Sequence, residues 1–428
     1  MKISHEQLAE RLQAALGADA LSAEPRELEL HSVAGKLPAL VCLPHAAEQI
    51  AVALRICAEA EASVVPWGGG TAMVIGNPPR RLDLVVSTIR MNRLIEHDHA
   101  NLTVTVQSGI TLGSLQTALV SQKQFAPFDA PCPERTTVGG IVAANLNGPK
   151  RSSYGSVRDL VIGMKVVLGT GEQIKAGGKV VKNVAGYDLC KLFTGSLGSL
   201  GILTEATIRV APVPESSATL VASGTLAQTL QLAGTLANSK LLPAAVFLCN
   251  SILAQNWQLA VGFEGFAQTV ARQLGDLDAM ARRLGMSMAS HRGENQQRVW
   301  QDIRDLPLQP DRLTYRITVP RSSVAEMIGA VQGWRTGAQE PAISADIAMG
   351  TLWIISAANK ISASHFAELI SLAQQHRGHA VMFAAPANLK DGIEVWGPSP
   401  PSLALMRDIK ERFDPKGIMN PGRFVGGL

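Results

Sequence analysis

The sequence predicts an α+β chain: a glycine-rich α/β region up to about residue 212, then an antiparallel cap made of two ferredoxin-like units. Three observations predict it. β-rich and helical stretches alternate through the first half. Pro212 and Pro214 punctuate the chain after "ILTEATIRVAPVPE". Between about 217 and 386 the order strand-helix-strand-strand-helix-strand runs twice.

Residues 1–32 read as an N-terminal helical segment, because "MKISHEQLAERLQAALGADAL" mixes charges into an amphipathic pattern and lacks the apolar core of a secretory signal. "ALVCLP", "SVVPW", "LDLVVS" and "LTVTVQSG" are short β-branched runs, with helices expected at about Ala46–Ala62 and Leu112–Gln122. "YGSVRDLVIGMKVVLGTGE" reads as a strand turning at Thr170–Gly171 into a returning strand. In the cap, the first pass is "TLVASG", helix 226–239, "AAVFLCN", "QLAVGFEG", helix 267–284 and "MSMAS". The second is "LTYRITVP", helix 322–335, "AISADIA", "TLWIISA", helix 363–376 and "HAVMFAA". Each pass is the split βαβ order, and two such units side by side make one larger sheet. The domain limits expected are 33–214, 215–390 and a closing segment 391–428, which starts as a charged helix and ends in a Pro/Gly-rich tail.

With 428 residues, 46% of them hydrophobic and 17% charged, the chain can bury a large core. A net charge of +4 spread over 39 basic and 35 acidic residues, without a run of five like charges, argues against a nucleic-acid partner. Five scattered cysteines form no C-x-x-C pair, which argues against an iron–sulfur cluster or structural zinc. No 18-residue uncharged apolar run is present, so no transmembrane segment is expected, and the protein is expected in the cytoplasm or peripherally at the inner membrane through partners.

Chemistry concentrates in three loops. "VVPWGGGTAMVIGNPP" follows a strand and allows Gly68, Gly69 and Gly70 positive φ, turning successive N–H groups toward one point. No G-K-[ST] ends it, so a triphosphate with magnesium is not indicated; a backbone-held pyrophosphate and a purely structural glycine turn both fit. In "PCPERTTVGGIVAAN" the hydroxyls of Thr136 and Thr137 precede Gly139–Gly140 and a small-residue helix start. In "GSLGSLGILTE" Gly195, Gly198 and Gly201 recur every three residues before a strand, permitting close approach of a flat ring.

The succession P-x-G-G-G-T, T-T-V-G-G, K-x-x-x-G-Y-D-L and G-S-x-G-x-L-G-I-x-T-E resembles the FAD-binding domain of the vanillyl-alcohol oxidase (PCMH-type) flavoprotein superfamily, over roughly residues 33–212 and the C-terminal tail. "SVRDLVIGMKVVLGTGEQIKAGGKVVKNVAGYDLCKLFTGSLGSLGILTE" is most similar to the FAD-binding (E) subunits of bacterial glycolate oxidases, which work beside a second flavin subunit and an iron–sulfur subunit. The resemblance implies a PCMH-type domain of two α/β subdomains with FAD extended between them. Pro66, Trp67, Gly68, Gly69, Gly70, Thr71, Ala72 and Gly76 would cradle the pyrophosphate. Thr136, Thr137, Gly139 and Gly140 would line the middle of the cofactor, Tyr154 and Gly155 would lie beside it, and Gly201 and Ile202 near the adenosine. The implied activity is oxidation of a small 2-hydroxy acid, glycolate or D-lactate, to the 2-oxo acid, with electrons passed to the iron–sulfur partner. A self-sufficient FAD-linked dehydrogenase and a non-catalytic FAD-binding structural subunit are the alternatives.

The likeness has departures. Catalytic dehydrogenases of the superfamily usually read G-S-E-G-T-L-G, where this chain has Leu197 and Ser199, and they carry a late H-x-x-x-G-D-G-x-x-H metal segment that this chain lacks. His376 and His379 in "QHRGHA", and His97 and His99 around Asp98, read as solvated turns, so no metal site is expected. Glu394 and Trp396 sit on an expected last strand, with a buried tryptophan favoured over a flavin contact. Lys182 and Tyr187 are the candidates nearest the ring, and Arg316, ahead of Arg377, is the candidate carboxylate clamp; no catalytic base is assigned.

Superfamily members with covalent flavin commonly supply a histidine from the first loop, sometimes with a cysteine from the second. Here the first loop offers Trp67 and glycines, and Cys132 reads as a packing thiol. FAD is therefore expected to be non-covalent: acid precipitation should release all yellow colour into the supernatant, and colour kept in the pellet would refute this.

Overall fold

A computed structural model describes residues 3–178, 187–250, 256–309, 311–332, 334, 341–357 and 363–428. The chain forms two compact units: Met1–Asn147 with Ser156–Pro212 and Ala387–Leu428, and Gly148–Gly155 with Val213–Pro386.

In the first unit, β1 (Leu21–Ser22), β2 (Leu40–Cys42), β3 (Val64–Trp67) and β4 (Leu84–Ser87) make a small sheet of order β1-β2-β4-β3, parallel from β2 to β3. β5 (Leu94–Asp98), β6 (Thr103–Gln107), β7 (Gln124–Phe125), β8 (Val161–Leu168), β9 (Gln173–Gly177), β10 (Gly201–Arg209) and β11 (Ala211–Pro212) follow. Five of these build an antiparallel sheet of order β5-β6-β10-β8-β9, and β7 pairs with β11. The turn between β8 and β9 spans residues 169–172, two more than expected, with Leu168 N donating to Glu172 O at 2.9 Å.

Helix His5–Leu16 starts at Ser4, whose hydroxyl and Gln7 form a reciprocal capping box. Its Leu8 and Leu12, spaced one turn apart, are buried with Ile50, Leu54 and Cys57 of helix Ala47–Ala60 against Val64, Leu84 and Val86 of the small sheet. Ile418 and Met419, from the far end of the chain, complete this core. The reason is a backbone splice: Val64 N donates to Ile418 O at 2.8 Å and Asn420 N to Val64 O at 2.7 Å, a parallel bridge at Met419. Residues 393–397, "IEVWG", expected as a strand, instead form turns, with Ile393 N and Gly397 N closing onto Lys390 O and Glu394 O. The polar side chain of Asn77 takes that place, bonding Val395 N at 3.0 Å and Glu394 at 2.9 Å.

In the second unit, β12 (Ser216–Gly224), β13 (Ala245–Cys249), β14 (Trp257–Gly265), β15 (Ser287–His291), β16 (Arg312–Thr318), β17 (Ala342–Asp346), β18 (Thr351–Ala357) and β19 (His379–Ala384) form one antiparallel sheet of order β15-β12-β14-β13-β17-β18-β16-β19. The two split βαβ passes expected from the sequence are both present, and they join where the second strand of each, β13 and β17, pair. Helices Leu226–Ala237, Ala267–Arg283, Val324–Gln332 and Ala363–Gln375 are the crossover helices. Tyr315 of β16 stacks on Phe366 of the last of them, ring centroids 5.3 Å apart, so its strand neighbour Arg316 points to the other face. An unexpected helix, Gly293–Asp305, buries Val299, Trp300 and Ile303 against Val221, Ala245, Phe247 and Ala260. Trp300 donates to Thr219 at 2.7 Å, and a Cβ on Gly262 would lie 2.8 Å from its indole.

The splice in the first unit is locked by Lys410, whose ammonium bonds Asp414 at 2.6 Å, Ser199 O at 2.6 Å and Met419 O at 2.7 Å. Asp414, 2% exposed, also accepts from Ile418 N and Met419 N. Lys410→Met should lower unfolding free energy by roughly 3–5 kcal/mol, because it strands a buried carboxylate. The double change Lys410→Met with Asp414→Asn should recover part of the loss in urea titrations.

Candidate functional site

Three loops and the C-terminal turn of the first unit surround a cleft of about 860 Å³, partly open to solvent. Pro66 to Met73 form one wall, Thr137, Gly139, Gly140 and Val142–Ala144 a second, and Ser196–Gly198 with Gly201–Leu203 a third. Asn420 and Arg423 close the fourth.

The walls meet where glycines leave no room for a side chain. A Cβ on Gly68 would stand 2.2 Å from Thr137 Oγ1, on Gly69 1.7 Å from Arg135 O, and on Gly198 2.8 Å from the Pro66 ring. Gly68 and Gly69 do not take the positive φ expected of them; Gly70 (φ 74°) and Gly76 (φ 87°) do. Glycine at 68 and 69 is required by close approach, not by backbone conformation. Among the described residues no backbone acceptor takes the N–H groups of Gly68, Gly69, Gly70, Thr71 and Ala72. Successive N–H groups of this kind are the chemistry of an anion nest. Thr136 bonds Thr71 at 2.9 Å and Pro131 O at 2.5 Å, and Thr137 caps helix Val138–Ala144 by accepting from Gly140 N, so these two hydroxyls fix the loops.

The charge at the site is positive and buried. Arg423, 3% exposed, donates to Met73 O at 2.8 Å and Ile75 O at 2.5 Å while its Nε has no acceptor. Lys390, 4% exposed, donates to Val74 O at 2.5 Å and Gly76 O at 2.9 Å. Burial, then the nearby Arg423 charge, pull the Lys390 pKa down to about 7, and burial pulls Arg423 to about 10. The bare glycine wall, open N–H groups and buried cations fit the diphosphate of FAD.

Of the residues singled out in the sequence, Pro66, Trp67, Gly68, Gly69, Gly70, Thr71, Ala72, Thr137, Gly139, Gly140, Gly201 and Ile202 line the cleft. Gly76 lies behind the first loop against Arg423 O, and Thr136 beneath it. Tyr154 and Gly155 belong to the second unit, where the Tyr154 hydroxyl donates to Glu264 at 2.7 Å and burial, with that carboxylate, pushes its pKa up. Lys182 lies outside the described residues, and Tyr187 is 97% exposed. His97 bonds Gln124 at 2.8 Å, and His376 pairs with Glu326 at 3.3 Å. Trp396 donates to Arg423 O at 3.0 Å. Asn420, Arg423 and Lys390 were missed; the signal was a cation in an apolar, Pro/Gly-rich tail, "GIMNPGRFVGG".

Residues 38–177 match the model of the FAD binding domain family, and 398–424 that of the C-terminal domain of FAD linked oxidases. The chain is 30% identical over 424 residues to glycolate oxidase subunit GlcD of Bacillus subtilis, covering 90% of this chain and 89% of that one. It is 32% identical over 376 residues to glycolate oxidase subunit GlcE of Escherichia coli, covering 85% and 93%. In three dimensions it is similar to substrate-bound p-cresol methylhydroxylase (TM-score 0.77, 16% identity, 98% and 96% of the two chains), a likeness of fold.

Gly69→Val should empty the cleft. Its Cβ would force Arg135 away, so bound flavin per chain, read at 450 nm, should fall at least about tenfold while far-ultraviolet circular dichroism stays unchanged. Full flavin in this variant would make the loop a structural turn only.

Proposed function

The chain belongs to the family of FAD-linked oxidoreductases that includes the glycolate oxidase subunits, and from that premise we propose that it is the FAD-binding redox subunit of a glycolate oxidase-like complex acting on a small 2-hydroxy acid. The observation that carries the reading is the glycine-walled cleft with its open N–H groups. Bound FAD supplies the acceptor for the hydride. The protein must then hold the carboxylate and take the hydroxyl proton.

For the carboxylate, Arg316 is the candidate. It is partly buried on β16, lies over the Phe383 ring at 4.9 Å, and has no hydrogen-bond or ion-pair partner among the described residues. Burial, reinforced by the like charge of Arg151, pulls its pKa to about 10, so it stays cationic at neutral pH and is left wanting an anion. This supports a substrate-contacting role and keeps the self-sufficient dehydrogenase as the second reading. Partner dependence rests on the missing metal segment, on Leu197 and Ser199 in the third loop, and on cysteines too scattered to carry electrons onward. The E-type assignment, the iron–sulfur partner and a cytoplasmic or membrane-peripheral location belong to the same reading.

Steady-state turnover with glycolate, D-lactate and a dye acceptor tests it. The purified chain should be inactive alone and active when co-purified with its partners, and Arg316→Ala should lower kcat/KM of the complex about 100-fold. Turnover by the chain alone, abolished by Arg316→Ala, would install the self-sufficient enzyme. A complex indifferent to Arg316→Ala, with flavin that never bleaches, would make this chain a structural subunit.

A further inference from the structure

The cofactor cleft has a feature that the glycine loops do not explain. Behind the first loop two cations are buried side by side, Arg423 and Lys390, and they share four consecutive carbonyls, those of Met73, Val74, Ile75 and Gly76. Neither has a carboxylate within ion-pair distance among the described residues. Carbonyl oxygens solvate part of each charge; Lys390, with its pKa drawn to about 7, can relieve the rest by losing its proton, but the Arg423 guanidinium stays charged, and a charge taken out of water without an anion is costly. A buried guanidinium of this kind persists where a bound anion offsets it.

Geometry says which cation meets the anion. Arg423 lines the cleft and Lys390 does not. The Arg423 Nη2 is committed to Met73 and Ile75, its Nη1 reaches only Met73 Sδ at 3.9 Å, and its buried Nε–H is unsatisfied. Its backbone is fixed from both sides: Trp396 Nε1 and Asn77 N donate to Arg423 O, at 3.0 and 3.1 Å, and Arg423 N closes onto Asn420 O. Asn420, in the same turn, spends its Nδ2 on Leu197 O and leaves a buried Oδ1 without a donor. The turn therefore holds one unsatisfied donor on a fixed cation, tied to the carbonyls of the same loop whose five N–H groups have no backbone acceptor. The only anionic part of oxidised FAD is its diphosphate.

We propose that Arg423 is the counter-charge of the FAD diphosphate, donating through its unsatisfied edge from the C-terminal turn beside the N–H groups of the first loop, whose carbonyls it holds. The proposal rests on FAD being the ligand of the cleft. Lys390 acts behind it, holding the carbonyls of the loop so that its N–H groups face inward.

Chains dialysed free of flavin, with native circular dichroism verified, are titrated with FAD, ADP and adenosine, reading flavin fluorescence and thermal stability. Arg423→Gln should weaken FAD about 10- to 100-fold and abolish the stabilisation by ADP, with adenosine unchanged. Arg423→Lys should restore most of the ADP effect. Equal losses for ADP and adenosine would mean that Arg423 only shapes the loop and would overturn the proposal. So would an unchanged ADP response with a lowered flavin reduction potential, which would put the guanidinium at the ring. If even the wild type fails to bind FAD, the cofactor assignment itself falls.

Discussion

A carbonyl oxygen, that of Arg135, stands where any side chain on Gly69 would have to be, 1.7 Å from the place of its Cβ. Most of the site follows from that contact. The second loop touches the first at Gly68 and Gly69, the third touches it where Gly198 meets Pro66, and the C-terminal turn reaches the third through Asn420 and the strand before the first through its backbone. Loops far apart in sequence can pack this closely only where one of them lacks a side chain, and the first loop, so packed, is left with successive N–H groups that no backbone acceptor takes. Local glycine content and long-range chain order are thus one requirement.

Much of this was legible. The three glycine loops could be read because close backbone approach leaves no residue but glycine, and the cap because its β-branched runs alternate with amphipathic helices in a repeated order. What misled is equally physical. Positive φ is the usual reason for glycine, yet at Gly68 and Gly69 the reason is contact, which no local rule reports. "IEVWG" looked like a strand, but its partner is the side chain of Asn77, more than 300 residues away in sequence. Helix Gly293–Asp305 was overlooked because only Gln296, Val299, Trp300 and Ile303 are buried on an otherwise polar helix, although their spacing carries the signal.

The eight-stranded sheet shows how duplication leaves unequal halves. Both passes bury one face under crossover helices, but the other face differs. In the first pass it is closed by Val299, Trp300 and Ile303, with Gly262 making room for the indole. In the second, Arg316 shares that face with Trp353 and Ser344 through the register of β16, β18 and β17. The second half keeps a cation on this face, and buried polar atoms without partners occur in both halves, Gln258 Oε1 in the first and the hydroxyls of Thr314 and Ser344 in the second.

Unpaired charge connects this chemistry to stability. Arg423 and Lys390 in the first unit, and Arg316 in the second, each carry a desolvation cost that no carboxylate of the described chain relieves. An anion that binds only the folded state stabilises it by RT ln(1 + [L]/Kd), about 2.7 kcal/mol at a hundredfold excess over Kd. If the anion at the first unit is the diphosphate of a resident cofactor, the relief is permanent and the cation can be buried deeply. For Arg316 the anion would come and go with turnover, and a deeply buried, carbonyl-tied cation there would hold product as tightly as substrate. Arg423 is 3% exposed and Arg316 half-buried, a difference in the direction that a resident and an exchanging anion would favour.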